Sequence, residues 1–192
     1  LSLPDILDKS EFNNVKEKVV LVVSRLEEVQ KRISLILKIW RKISKNYRAK
    51  GWKLLIAGEG VDGERYKKYV SRHNIPNIVF LGRVTPAPYY KEASIFMMTS
   101  KSEGFPLTLN EAMQYGVVPL AFDSFAAISD IITDGYNGYV IPDKEVEIYS
   151  EKLLNLMSNN NLRHNMAMNA IDSCQRYLPE PIGDIWWTLL NQ

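Results

Sequence analysis

Five aliphatic residues without a polar break, Val19-Val20-Leu21-Val22-Val23, begin a pattern that recurs along the chain. A run of this kind, with no alternation, fits a parallel strand buried on both faces. Similar runs follow at Lys53–Ala57, Ile78–Leu81, Ile95–Thr99, Val118–Phe122 and Gly138–Ile141. Between them the period changes to that of a helix. Ile33, Ile36, Leu37, Trp40, Ile43 and Tyr47 share one face of a helix predicted over 28–48, which Gly51 stops. Shorter helices are predicted over 63–73, 88–93, 107–116 and 126–133. Residues 145–192 read as helical, interrupted near Asn159 to Asn161 and again at Pro179 and Pro181. Six strands, most of them separated by helices, predict an α/β, Rossmann-like, doubly wound parallel six-stranded sheet with helices on both faces. Residues 1–18 are polar and read as a lead-in or linker, so the domain is expected over 19–192.

Composition narrows the function classes. A chain of 192 residues, 46% hydrophobic and 24% charged, fits one ordinary globular domain. The formal net charge of +2 gives no case for nucleic acid as a partner. One cysteine, Cys174, allows no internal disulfide and points to a reducing, cytoplasmic setting. No apolar run reaches the roughly 18–20 residues of a membrane span. No signal-peptide pattern opens the chain, and since it does not begin with Met, Leu1 is expected to be an internal start. His73 and His164 lie far apart, and with one cysteine they give no zinc-type spacing, so no metal site is expected. Neither a nucleophile elbow nor a P-loop occurs. Trp186 and Trp187 are expected to be packing anchors.

Open parallel sheets bind ligands at the carboxyl ends of their strands, so the loops after the strands are where chemistry is sought. After the fourth strand comes Ser102-Glu103-Gly104-Phe105-Pro106-Leu107-Thr108-Leu109-Asn110-Glu111-Ala112. Its two carboxylates, Glu103 and Glu111, flank a helix start, where free N–H groups favour a phosphate and Thr108 can add a hydroxyl. A carboxylate in the first turns can also accept from vicinal ribose hydroxyls. By spacing alone, surface and capping roles account for both glutamates more readily than chemistry does. After the first strand comes Ser24-Arg25-Leu26-Glu27-Glu28-Val29-Gln30-Lys31-Arg32. Arg25 and Lys31 could neutralise a diphosphate. The rival reading is a solvated basic face, because residues 31–53 hold nine Lys/Arg and no acid. That basic amphipathic stretch could also touch an anionic membrane surface. Gly58-Glu59-Gly60-Val61-Asp62-Gly63 spells a dinucleotide fingerprint, but it follows the second strand, and Phe80-Leu81-Gly82-Arg83 stands where the ribose-binding acid should be. Turn-making glycines explain it better.

These loops together resemble family 4 of the retaining glycosyltransferases. The stretch from Ser102-Glu103-Gly104-Phe105-Pro106 through Asn110-Glu111-Ala112-Met113 to Gly116-Val117-Val118-Pro119 is similar to that family's E-x7-E signature. Ser24-Arg25-Leu26 with Gln30-Lys31-Arg32, Ala57-Gly58-Glu59-Gly60, Phe80-Leu81-Gly82 and Ile132-Thr133-Asp134-Gly135-Tyr136-Asn137-Gly138-Tyr139 resemble further family segments in the same order. The likeness covers about residues 19–157.

The resemblance implies one half of a two-domain GT-B enzyme, the C-terminal half that holds a nucleotide sugar, with the N-terminal acceptor domain absent. It implies that Arg25 and Lys31 contact the donor diphosphate and Glu111 the ribose. Glu103 with the backbone of Gly104, Phe105 and Pro106 would hold the transferred sugar, and Leu107 and Thr108 would approach the phosphates. The backbone of Gly82, Arg83 and Val84 would meet the base. The implied reaction is hexose transfer with retention from a UDP- or GDP-sugar to a glycan or lipid-linked acceptor, without cofactor or metal. Surface polysaccharide or lipopolysaccharide synthesis is the implied setting, in the cytoplasm or peripherally on the inner membrane face. Lys31 follows Arg25 by six positions where many members have five, and Asp123-Ser124-Phe125-Ala126-Ala127 replaces a glycine-rich turn. Two other readings stand beside this one: a nicotinamide-dependent oxidoreductase domain and a non-catalytic sugar- or protein-binding module.

Overall fold

The computed structural model of the protein describes residues 16–177 together with Trp187 and Leu190. Residues 1–15 of the lead-in expected over 1–18, Trp186 and the breaks at Pro179 and Pro181 lie outside the described residues. Residues 16–18 are tied to the domain instead of standing apart from it: the Glu17 N–H donates to Glu92 O at 2.9 Å and Lys16 Nζ to Tyr90 O at 2.7 Å. Strands β1 (Val19–Val23), β2 (Lys53–Ala57), β3 (Ile78–Gly82), β4 (Ile95–Met98), β5 (Val118–Asp123) and β6 (Tyr139–Pro142) form one sheet in the order β3-β2-β1-β4-β5-β6. Every pairing in it is parallel. The strand order reverses between β1 and β4, which is the switch point where such sheets hold ligands.

The uninterrupted apolar runs of the inner strands exist because both faces are covered, while the edge strand β3 is only half-buried, with Val79 45% exposed. Val20, Val22, Leu54, Ile56, Ile95, Met97 and Leu120 point into one core layer, with side chains of α2 (Ile33–Ile43), α3 (Gly63–Arg72) and α7 (Val146–Ser158). Val19, Leu21, Leu55, Phe96, Met98 and Ala121 point into the other. There they meet α4 (Ala87–Glu92), α5 (Leu107–Gln114), α6 (Ala127–Ile131) and the far end of α8 (Asn160–Cys174). Cys174 is buried in this second layer. At the join of α7 and α8, Asn159 caps the second helix by accepting from the Leu162 N–H at 3.0 Å.

Two expectations about the first helical stretch are corrected. The helix predicted over 28–48 is broken: α1 (Glu28–Lys31) ends at Arg32, which takes the left-handed conformation (φ 51°, ψ 44°), and α2 starts after it. Tyr47 leaves the apolar face and is 84% exposed in the 3-10 turn Tyr47–Ala49, while Ile33, Ile36, Leu37, Trp40 and Ile43 are buried as predicted.

β1 pairs with β2 over all five residues, yet with β4 only at Val20 with Ile95 and Leu21 with Phe96. Beyond that point the two strands are no longer paired, and the sheet opens at its carboxyl edge. Two neighbours brace β1 there. The Ser24 N–H donates to Ala57 O at 3.0 Å, and the Leu26 N–H donates to Glu59 O at 2.9 Å. This close approach explains the dinucleotide-like glycines. A Cβ on Gly58 would stand 1.8 Å from Ser24 O, and one on Gly60 would stand 2.3 Å from Leu26 O. The motif is a packing device between two loops.

Candidate active site

The opening between β1 and β4 is a cavity of about 260 Å³, floored by Val22, Met97 and Met98 and rimmed by Arg25, Lys31, Glu103 and Phe105 to Thr108. A neighbouring cavity of about 480 Å³ is lined by Gly58, Glu59, Arg83 and Val84. The two share Val23, Ser24, Arg25 and Thr108 as a common wall, so they form one groove that runs past Arg25 along the carboxyl edge. Most of the residues marked by the sequence therefore come together here, from loops far apart in the chain.

Lys31 closes α1, and its Nζ donates to Glu103 Oε1 at 2.5 Å. Both side chains are only 13% exposed, so the pair is fixed inside the cavity wall. Arg25 is different. Its side chain is 69% exposed, with Nη2 donating to Gln30 Oε1 at 3.2 Å and Nη1 standing 3.9 Å from Glu27 Oε2. It is a cation at the mouth, held lightly enough to turn towards an anion. The α5 N-terminus begins at Leu107 behind Pro106, and no side chain caps it. The Leu107 N–H donates to Phe105 O at 2.9 Å, and the Leu109 and Asn110 N–H groups donate to Pro106 O at 3.0 and 3.2 Å. The partial positive charge of the helix terminus faces the side of the cavity that Thr108 and Leu107 line.

Three of the expected residues do not line the joined groove. Glu111 lies one turn into α5, where its Oε2 accepts from the Tyr90 hydroxyl at 3.0 Å. Burial raises the Glu111 pKa above the ordinary carboxylate range, and the Tyr90 hydrogen bond opposes that shift. Burial and the Glu111 charge push the Tyr90 phenol upward in turn. Gly82 ends β3 and lines a smaller recess with Gly58 and Glu59. Gly104 is exposed at the surface, outside the left-handed region, and a Cβ there would meet nothing within 4 Å. Among the described residues, no group of three or more His, Cys, Asp or Glu could hold a metal ion. His73 is structural, its Nδ1 at 2.9 Å from Tyr69 O and its ring against Tyr69.

The basic stretch 31–53 is not simply a solvated face. Arg48 forks onto Glu151 with 2.8 and 2.9 Å hydrogen bonds, and Lys42 pairs with Glu147, so α7 covers part of it. Arg32 is a larger departure, because it is 7% exposed and its guanidinium is turned inward. One site residue escaped the sequence: Tyr90 holds Glu111 from 21 positions away. No local pattern marks it, because it acts through a partner on another element. Ser24 and Gln30 lie in segments the sequence marked but gain their places only in the fold, Gln30 donating to Ser102 O at 3.0 Å and Ser24 standing in both cavity walls.

Comparison with known proteins shows the family of the chain. Residues 5–173 match the family described as Glycosyl transferases group 1. The amylovoran biosynthesis glycosyltransferase AmsD of Erwinia amylovora is 32% identical over 180 residues, covering 92% of this chain and 49% of that protein. The poly(ribitol-phosphate) alpha-N-acetylglucosaminyltransferase of Staphylococcus aureus is 30% identical over 178 residues, covering 91% of this chain and 36% of that protein. Among solved structures, a TarM mutant of S. aureus in complex with fondaparinux, alpha-GlcNAc-glycerol and UDP superposes with a TM-score of 0.85 at 27% identity. That match covers 100% of this chain and 38% of that one. The C-terminal domain of the glycosyl transferase group 1 family protein LpcC from Francisella tularensis superposes with a TM-score of 0.71 at 25% identity, covering 83% and 85% of the two chains. The chain spans about half or less of the curated relatives it matches.

Proposed function

This chain belongs to the group 1 glycosyl transferases, and from that premise we propose that it is the donor-binding half of a retaining hexosyltransferase. Its donor is a nucleoside-diphosphate hexose. Its acceptor is a glycan or a lipid-linked sugar of surface polysaccharide synthesis, presented by an N-terminal domain across the cleft. The observation that carries this reading is the joined groove at the switch point, with Arg25 at the junction and Lys31 in one arm. Its two arms suit a base at one end and a sugar at the other, with a diphosphate between them.

In this arrangement the backbone at Arg83 and Val84 meets the base, with Gly82 in the recess beside them, and Glu111, which rests on the Tyr90 hydroxyl outside the groove lining, accepts from the ribose hydroxyls once the donor is seated. Arg25, Lys31, the Thr108 amide and the α5 terminus face the diphosphate. Glu103 and the backbone of Gly104, Phe105 and Pro106 hold the hexose. As the glycosidic bond breaks, negative charge grows on the departing nucleoside diphosphate. Lys31 and a helix terminus held in place beforehand, joined by Arg25 as it turns to the phosphates, stabilise that charge without a bound metal. Donor entry brings phosphate oxygens against Lys31, so that Glu103 can turn to the sugar hydroxyls. The enzyme works in the cytoplasm, and a peripheral contact with the inner membrane face would fall to the exposed lysines Lys38 and Lys45.

The test is calorimetric titration of the complete protein with UDP and with GDP, repeated on Glu111→Ala. One nucleotide should bind and lose about ten-fold or more in affinity in the variant, as expected for a charge-assisted hydrogen bond. Binding of neither, or equal binding by the variant, overturns the reading.

A further inference from the structure

The residue after Lys31 breaks the chain's own helix. Arg32 stands at φ 51°, a conformation that suits glycine and is strained for arginine. Its side chain shows what holds it there. Nε donates to Thr99 O at 2.6 Å and Nη2 to Ser100 O at 2.9 Å. The guanidinium also forks onto Asp143, Nη2 to Oδ1 at 2.8 Å and Nη1 to Oδ2 at 3.2 Å. Its carbon lies 5.7 Å from the centre of the Phe122 ring. The Thr99 hydroxyl answers from the other side, within 3.0 Å of Lys31 O and 3.1 Å of Arg32 O. One buried guanidinium thus ties the exit of β1 to the end of β4 and to the turn after β6.

Strand pairing cannot supply that tie, because β1 and β4 are paired only as far as Leu21 and Phe96. Lys31 lies directly between the clamp and the cavity, its carbonyl held by Thr99 and its ammonium by Glu103. Glycine would take the same backbone turn with less strain, so the turn alone does not require arginine. Arginine adds a fixed distance between the β1 exit and the β4 exit. We propose that Arg32 is a positioning residue for sugar transfer, acting through Lys31 by holding its ammonium in register with the β4 loop. The inference rests on the reading above, in which Lys31 meets the donor diphosphate.

The test uses the complete enzyme. Nucleotide release is measured with UDP-glucose, UDP-N-acetylglucosamine and GDP-mannose, and the donor that turns over is carried into the variants R32G, R32K, K31A and R32G/K31A. R32G should lower kcat about ten-fold or more with a smaller change in donor KM, because misplacement of a charge-stabilising group acts on the transition state. R32K should recover part of the loss. In the K31A background, R32G should change kcat less than about three-fold, since residues acting as one unit are not additive. If R32G does not fold, R32K is compared with and without K31A in the same way. The proposal is overturned if R32G melts earlier but keeps kcat below its melting temperature, or if its kcat loss is the same with and without Lys31. A kcat unaffected by K31A itself overturns the donor reading first, and this inference with it.

Discussion

The two loops that face each other across the switch point are built by opposite means. The β1 exit, residues 24–32, is braced from several sides. Ala57 and Glu59 carbonyls take its backbone N–H groups, the Glu28 N–H donates to Asp62 Oδ2 at 2.8 Å, and Arg32 anchors its far end. The β4 exit, residues 101–106, leans on that first loop. The Lys101 N–H donates to Gln30 O at 2.7 Å, Ser102 O accepts from Gln30 Nε2, and Glu103 accepts from Lys31. At its far end Phe105 meets Tyr177 edge-on at 5.4 Å, and the Phe105 and Pro106 carbonyls accept from the first turn of α5. The first loop is therefore scaffold. The second takes its position from the first, and a ligand seated between them has one firm wall and one that can adjust.

The contrast can be pressed hardest at Arg25. In the complete enzyme Arg25→Ala should lower kcat about 10²-fold or more, the scale of losing one charge-stabilising group. Because its side chain is 69% exposed, the same change should leave stability within about 0.5 kcal/mol. An unchanged kcat removes Arg25 from the chemistry. The glycines come next. Gly58→Ala forces a Cβ against Ser24 O at φ +137° and should cost about 3 kcal/mol, a fall in Tm of about 6–12 °C. Gly104→Ala meets open space and should leave Tm of the unliganded protein unchanged while weakening donor binding. Equal Tm losses in the two variants would erase the distinction between scaffold and dependent loop.

A smaller effect concerns pH. The folded pKa of Glu111 lies above its unfolded value because of burial, so its contribution to stability is full below the unfolded value and is lost as pH rises through the folded one. Glu111→Gln should flatten that part of the stability profile. Nucleotide affinity should show the reverse, falling as pH drops and the carboxylate protonates. Tyr90→Phe removes the hydrogen bond that favours the charged form and should move the edge of the affinity profile to higher pH. Affinity titrations from about pH 5 to 8 decide this, and an unmoved edge in Tyr90→Phe would count against Glu111 as the ribose ligand. The least change is expected from Gln30→Ala. It cuts the tie to Ser102 and should cost about 0.5–1.5 kcal/mol, with faster amide exchange confined to residues 101–105.

The sequence by itself determined the six strands, their alternation with helices and the loops in which the site lies. These follow from local rules: aliphatic runs of five for strands buried on both faces, a 3.6-residue period for α2, and glutamates eight apart around a helix start. Tertiary structure alone decided what those loops do to one another. Nothing near Arg32 in the chain marks it as a break, because arginine forms helix well and its neighbours are apolar at helical spacing. The break is held by carbonyls 67 and 68 positions away and by a carboxylate 111 away. Lys31 likewise reads as one of nine basic residues in its stretch until the fold brings Glu103, 72 positions on, to its ammonium. Period and spacing report only what adjacent residues do to the backbone. The charges of this groove are set by strands that separate after Leu21 and Phe96, and that separation exists only once the sheet has formed.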